Sequence, residues 1–339
     1  MMMKKMMSPP RAIAVLLLGL AGAAAQAQSK VTLYGLVDVS IGAGKAPGAA
    51  SVKGVDSGKM STSYLGFSGS EELGGGLAAF FTLDSFLRAD VGNNGRFNGD
   101  NFWARNAFVG LSHKDFGLIR AGRNTTPLFV QTLLFNAFGD SFGYSPSIRQ
   151  YFSAGATATG TTATGDTGWS DSVQYISPKF GGFSLGAIVA AGEGAGGRNW
   201  GVNAAYGAGA FAASFNYQNV KKDGGATSAV ADSKTWQLAG SYDLGVAKLF
   251  GQYGKVENVT TRRDYKIAGV GAAVPVGEGK ILVQYGQMDA SLGADRKTFT
   301  AGYDHQLSKR TDVYAVAMSD KLDGLSRGNS YSLGIRHRF

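Results

Sequence analysis

The chain has 339 residues, 51 of them glycine and none cysteine, with aromatics at 11% and a formal charge of +9. The lack of cysteine excludes a disulfide framework and a lipid-bearing thiol, and the basic excess is too small and scattered for nucleic-acid binding. Beyond Ala27 no window approaches the roughly 18 continuous apolar residues that a membrane helix needs, so no helical span is expected.

The first element is a leader. Lys4, Lys5 and Arg11 supply positive charge, Ala12 to Ala25 is apolar, and Ala25-Gln26-Ala27 is the small-residue pattern cut by signal peptidase. About 14 apolar residues are too few to cross a bilayer as a helix, which argues against an anchor. Residues 1–27 are therefore expected to be a cleaved signal peptide and 28–339 the folded unit. Losing three basic residues and no acid lowers the net charge to about +6.

From there one unit repeats: a run of roughly 10 residues with period-two alternation, ended by a tight Gly-rich turn. In Thr235 to Leu244, Trp236, Leu238, Gly240 and Tyr242 alternate with Gln237, Ala239, Ser241 and Asp243. In Lys280 to Gln287, Ile281, Val283 and Tyr285 alternate with Lys280, Leu282, Gln284 and Gly286. In the last run Tyr331, Leu333, Ile335, His337 and Phe339 share one face, and Ser330, Ser332, Gly334, Arg336 and Arg338 share the other. Short turns fall at 73–76, 115–117, 180–182, 207–209, 243–245, 275–279 and 308–311. These seven turns separate eight hairpins and predict an all-β, sixteen-stranded antiparallel barrel. An even strand number suits a closed bacterial barrel, and an open edge in hydrocarbon would strand unpaired backbone groups. A soluble β-sandwich or β-helix is the alternative, but Tyr and Phe near so many strand ends favour the membrane, where aromatic girdles sit at both interfaces.

The opposite connections are longer and more polar, at 44–59, 90–100, 220–233 and 322–328. One stands apart. From Thr125 to about Ser170 there is no sustained alternation, and a structureless loop of such length is usually functional or disordered.

Several stretches together resemble the Gram-negative general porins, particularly their β-proteobacterial branch. They are Val31-Thr32-Leu33-Tyr34-Gly35-Leu36-Val37-Asp38, Leu65-Gly66-Phe67-Ser68-Gly69, Glu72-Leu73-Gly74-Gly75-Gly76-Leu77, Phe108-Val109-Gly110-Leu111, Asp115-Phe116-Gly117, Gly122-Arg123, the run from Ser172 to Phe183, and the terminal Arg338-Phe339. The resemblance implies a homotrimer of water-filled barrels in the outer membrane, surrounded by lipid and lipopolysaccharide, each passing small hydrophilic solutes by passive diffusion. It implies that the third external loop, here residues 125–170, folds inward to narrow the channel. It also implies that Phe339 is the signal read by the outer-membrane assembly machinery; a girdle aromatic is its simpler role.

Strand parity then assigns the pore charges. With Leu33, Val37 and Val39 outward, Tyr34, Leu36 and Asp38 face in; with Phe81 and Leu83 outward, Thr82, Asp84 and Arg88 face in. Asn106 and Phe108 outward would place Arg105 inside, where the family usually has a pore arginine, and Ile119 and Ala121 outward place Arg120 inside. Asp140, beside Gly139, is the acidic candidate on the inward loop, or else a turn former. Where relatives often carry an arginine before Leu-Gly-Phe this chain has Tyr64, and before the sixth-strand motif it has Trp169-Ser170; Arg149 is the candidate substitute. Arg123 resembles a strand-top position that braces loops or subunit contacts. Arg88, Arg105, Arg120 and Arg149 against Asp38, Asp84 and Asp140 support weak anion preference at most.

An enzyme on a barrel is the first rival. Only His113, His305 and His337 exist, the first two by short turns and the third on the lipid face, and no triad partner accompanies them. Without cysteine or clustered histidine, metal and cofactor sites are not expected either. A substrate-specific channel, for sugars or organic anions, is the nearer rival, but inward Tyr34, Tyr64 and Phe86 do not make an aromatic path.

Overall fold

A computed structural model describes residues 30–153, 156–157, 162–192, 197–221 and 232–339. The expected leader, residues 1–27, lies outside them. Alternating runs become sixteen long strands: β1 (Lys30–Gly44), β2 (Tyr64–Gly74), β3 (Leu77–Arg88), β4 (Asn106–His113), β5 (Gly117–Thr125), β6 (Gly168–Ile176), β7 (Phe183–Ala190), β8 (Asn199–Ala208), β9 (Phe211–Val220), β10 (Ser233–Asp243), β11 (Lys248–Asn258), β12 (Arg263–Val276), β13 (Gly279–Ala290), β14 (Arg296–Gln306), β15 (Thr311–Leu322) and β16 (Gly328–Arg338). Two further pieces, Val52–Ser57 and Asn93–Asn94, sit in the first two long loops. The seven short turns join the strands where the sequence places them.

Each strand pairs antiparallel with its neighbours in chain order. The barrel closes at β1. Its lower half, Lys30 to Leu36, pairs with β2; its upper half pairs with Val52–Ser57; its other edge pairs with β16 from Leu36 to Ala43. Gly35 and the terminal Phe339 exchange two backbone hydrogen bonds, each 3.2 Å, at the foot of that seam. Among the described residues no barrel edge is left to face hydrocarbon, which is the condition for a sheet to cross a bilayer.

The two faces are inverted relative to a water-soluble protein. Val31, Leu33 and Ile41 of β1, Leu238 and Tyr242 of β10, and Tyr331, Leu333 and Ile335 of β16 are exposed outside. Thr235, Gln237, Gln284, Ser332 and Arg336, on the alternate positions, are buried inside. Apolar groups face lipid and polar groups face the lumen.

In one strand the expected parity is reversed. Phe108 is buried and Val109 exposed on β4, because Thr82 pairs with Phe108 and Asp84 with Asn106, which puts all four on the inner face. Arg105 precedes the strand, so its side chain reaches the lumen from outside the alternating ladder.

The loop between β5 and β6 is not structureless. It holds two short helices, α1 (Pro127–Leu134) and α2 (Pro146–Phe152). Each begins with a hydroxyl N-cap followed by proline: Thr126 Oγ1 accepts from Phe129 N, and Ser145 Oγ accepts from Ile148 N. The pair is a strong start signal, since proline gives up a hydrogen bond that position never makes. The helices lie against the inner wall, α1 on β7 to β10 and α2 on β12 to β14. Leu128, Ile148, Tyr151 and Phe152 pack on Val256, Tyr265, Ile267 and Met288 of the wall. Around that apolar seat the wall donates hydrogen bonds: Gln252 Nε2 to the carbonyls of Thr132 and Phe135 (both 2.8 Å), Gln284 Nε2 to Ser147 Oγ (2.8 Å), and Thr300 Oγ1 to the Tyr144 carbonyl (2.8 Å). Two wall glycines make the recess. A Cβ on Gly254 would stand 2.4 Å from the Tyr151 hydroxyl, and one on Gly286 would stand 2.6 Å from Pro146 Cβ.

Candidate functional site

With the β7–β14 side of the lumen occupied by the helices, open space remains between the loop and the β1–β5 wall. It forms a cavity of 560 Å³. On the barrel side its lining includes Tyr34, Asp84, Phe86, Arg88, Arg105, Asn106, Phe108 and Arg120; Arg96 overhangs from the second long loop. On the loop side it includes Phe129, Val130, Leu133, Asp140 and Phe142.

The strand alternation sets this wall. Asp84 on β3 is buried and fully occupied: Oδ2 accepts from Arg105 Nη1 and Asn106 Nδ2, each at 2.9 Å, and Oδ1 accepts from the Tyr34 hydroxyl at 2.5 Å. Its charge is thus matched by Arg105. The Arg105 guanidinium also lies 3.9 Å from the centre of the Tyr64 ring, so Tyr64 acts as a platform under a neighbouring arginine, in favourable cation–π geometry. Arg120 on β5 donates to Gln174 Oε1, a neutral partner, and sits 4.3 Å over the Phe108 ring. Arg88, at the end of β3, donates to Asn98 Oδ1 at 2.8 Å. Among the described residues neither Arg120 nor Arg88 has a carboxylate in ion-pair range.

Arg96 was not among the residues expected from the sequence. It lies between Gly95 and Phe97 in a loop without alternation, so parity says nothing about it. It is ion-paired to Asp100 and Asp166 at 2.9 and 2.8 Å. Asp166 also binds Arg123 Nη2 at 2.7 Å, which ties the return arm of the long loop to the barrel rim. Burial alone would raise the Asp166 carboxyl, but Arg123 and Arg96 hold it below the usual carboxylate range. The loop-bracing expectation for Arg123 describes its contacts.

Asp140 faces the arginine wall from the inward loop. Burial pushes its carboxyl above the usual range, against the opposing influence of Ser61 and of the Arg105 and Arg336 charges. One other candidate needs correction. Asp38 points inward but has no exposed surface, because it accepts hydrogen bonds from Met60 N, Ser61 N and the Tyr314 hydroxyl; it fastens the first loop to the barrel and does not line the passage. Arg149 sits on α2, where it binds Asp320 of β15 at 3.1 Å and clamps the helix to the wall, and it also lines a second cavity that shares Arg88, Arg96 and Phe142 with the first. Asp320 is shared with Arg296 of β14. No group of three or more potential metal ligands occurs among the described residues.

The sequence profile described as "Gram-negative porin" matches residues 12–325. The chain belongs to the Gram-negative porin family. This porin is 34% identical over 94% of its length to outer membrane porin protein 32 of Delftia acidovorans, a β-proteobacterium, and covers 97% of that protein. It superposes on an anion-selective porin from Comamonas acidovorans with a TM-score of 0.77 and 28% identity, covering 92% of this chain and all of the other. A more distant likeness, OmpT of Vibrio cholerae in its trimer form, has a TM-score of 0.67 at 17% identity, covers 92% of this chain and 99% of that one, and speaks to the fold alone. Like them, this porin is an outer-membrane β-barrel, and its relatives are channels rather than enzymes.

Proposed function

We propose that the cavity between the β1–β5 wall and the inward loop is the diffusion path, and that it passes small anions in preference to cations. The observation that carries this is the charge balance along the path. Asp84 is cancelled by Arg105, while Arg88 and Arg120 meet only neutral partners among the described residues. Each uncancelled charge in a partly ordered aqueous space biases ions by about 1 kcal/mol, less as salt screens it. Asp140 offsets part of that bias. The Comamonas relative is an anion-selective porin, which agrees with this reading. No group in the path needs to react, so transport is passive and no cofactor enters.

The assembled form proposed is a homotrimer in the outer membrane, in contact with lipid and lipopolysaccharide and inserted by the assembly machinery after removal of residues 1–27. The aromatic patch of Phe102, Trp103 and outward-facing Phe67 at the upper edge of β2 suits burial against another barrel. The test of selectivity is the reversal potential across a planar bilayer in a potassium chloride gradient. An anion-selective sign at low salt, shrinking at high salt, is expected. A cation-selective sign would overturn the reading.

A further inference from the structure

The walls of the passage differ in kind. One carries arginines, and the other carries hydrocarbon: α1 reads PLFVQTLL, without a charged residue, and presents Phe129, Val130 and Leu133 to the cavity. Phe142, stacked on Phe129 with ring centres 6.0 Å apart, extends that face. Leu134 is 52% exposed although its helix lies inside the barrel. Leu128 and Thr132 make the wall contacts of α1, and Phe129, Leu133 and Phe142 are only partly buried against the same seat, so part of their apolar surface, with Val130, stays turned toward the lumen.

We infer that the passage favours monoanions with a hydrocarbon body, short-chain or aromatic carboxylates, over hydrophilic anions of equal size and charge. This rests on the reading of the cavity as an anion path. Two arginines present their charge in a way that suits a carboxylate. Arg105 over Tyr64 and Arg120 over Phe108 each have one guanidinium face covered by a ring, so the N–H groups not already given to Asp84 (Arg105 Nη1) or to Gln174 (Arg120 Nε and Nη2) are the polar surface left for a carboxylate. A carboxylate tracking the arginine side would carry its tail along Val130 and Leu133. Chloride, or an anion studded with hydroxyls, gains only the first of these interactions. Full transfer of one methylene from water is worth about fourfold in partitioning; contact on one side realises part of that, which keeps retention weak enough for release. A preference of roughly two- to threefold per pair of matched anions is therefore expected.

The experiment uses the mature full-length protein, inserted as it assembles, in planar bilayers. Reversal potential in a potassium chloride gradient comes first and tests the anion path alone. Bi-ionic potentials of potassium butyrate against potassium lactate, which match in size and charge, follow, with benzoate as the aromatic probe. Butyrate and benzoate should exceed lactate by more than the ratio of their free mobilities. A cation-selective chloride result would sink the underlying reading. An anion-selective result with lactate equal to or above butyrate would overturn this inference and leave that reading standing. Val130→Thr with Leu133→Asn should bring the butyrate-to-lactate ratio down to the mobility ratio. An unchanged ratio in that variant would overturn the role of α1. Should the double variant fail to insert, the near-isosteric Val130→Thr and the wild-type comparison still decide.

Discussion

Two arginines of the passage, Arg105 just before β4 and Arg120 on β5, differ in what removal would leave behind. Arg120→Gln takes a charge from the path and leaves no orphan, since its partner Gln174 is neutral; a several-fold fall in the anion-to-cation permeability ratio is expected, with little change in stability. Arg105→Gln takes the same charge but abandons the buried Asp84 carboxylate. Breaking a fully buried pair typically costs about 3–5 kcal/mol, and less is expected here because Arg105 is 30% exposed and Asp84 keeps its Tyr34 and Asn106 donors; this variant should shift further toward cations and also unfold at a lower temperature, as heat dissociation followed by circular dichroism would report. Asp140 gives a pH signature. Its carboxyl is raised above the usual range by burial, so as pH falls it takes up a proton before an ordinary carboxylate would, and the path loses its opposing negative charge. Anion preference should therefore rise on mild acidification and approach that of Asp140→Asn, whose own preference should vary less over that window. Equal pH dependence in the two proteins would remove Asp140 from the path. Alternation made Arg88 and Arg120 legible from sequence because each lies on a regular strand. Arg105 reached the lumen despite a wrong parity for β4, and Arg96 was invisible, because outside the strands nothing periodic ties a residue's number to its direction.

At the scale of elements, the inward loop is held by polar fasteners around an apolar seat. The strongest fastener is Asp320, which binds Arg296 and Arg149 together and so joins α2 to β14 and β15. Asp320→Asn keeps the shape and leaves two guanidiniums without their carboxylate. Greater open-channel current noise and faster proteolysis within residues 126–167 are the expected results; a channel as quiet as the wild type would show that the apolar seat suffices. The two helices could have been found in the sequence, since Thr126-Pro127 and Ser145-Pro146 are paired start signals. They were hidden by their length, eight and seven residues, which is too short to build a periodic stripe. The recess glycines were less legible still. Gly254 and Gly286 sit in strands where glycine is frequent, and the approach of Tyr151 and Pro146 shows what they make room for.

For the molecule as a whole, strand number and closure were readable because seven turns repeat one chemical signal and because hydrocarbon forbids an open edge. The closing seam between β1 and β16 runs down to Phe339. Phe339 shares two backbone hydrogen bonds with Gly35, and its ring fills the space a side chain there would need, 2.6 Å from the position of a Cβ. Deleting Phe339 should deplete folded barrel from the membrane fraction and leave the chain in the periplasm; normal insertion would place the assembly signal elsewhere. The seam also imposes an order on events. β1 emerges first, yet one of its edges can find its partner only when β16 exists, nearly the whole chain later. Contacts so distant in sequence form slowly, and an unpaired strand edge is adhesive while it waits. The polypeptide therefore has to finish its journey before it can finish its shape, and it must be escorted in the meantime.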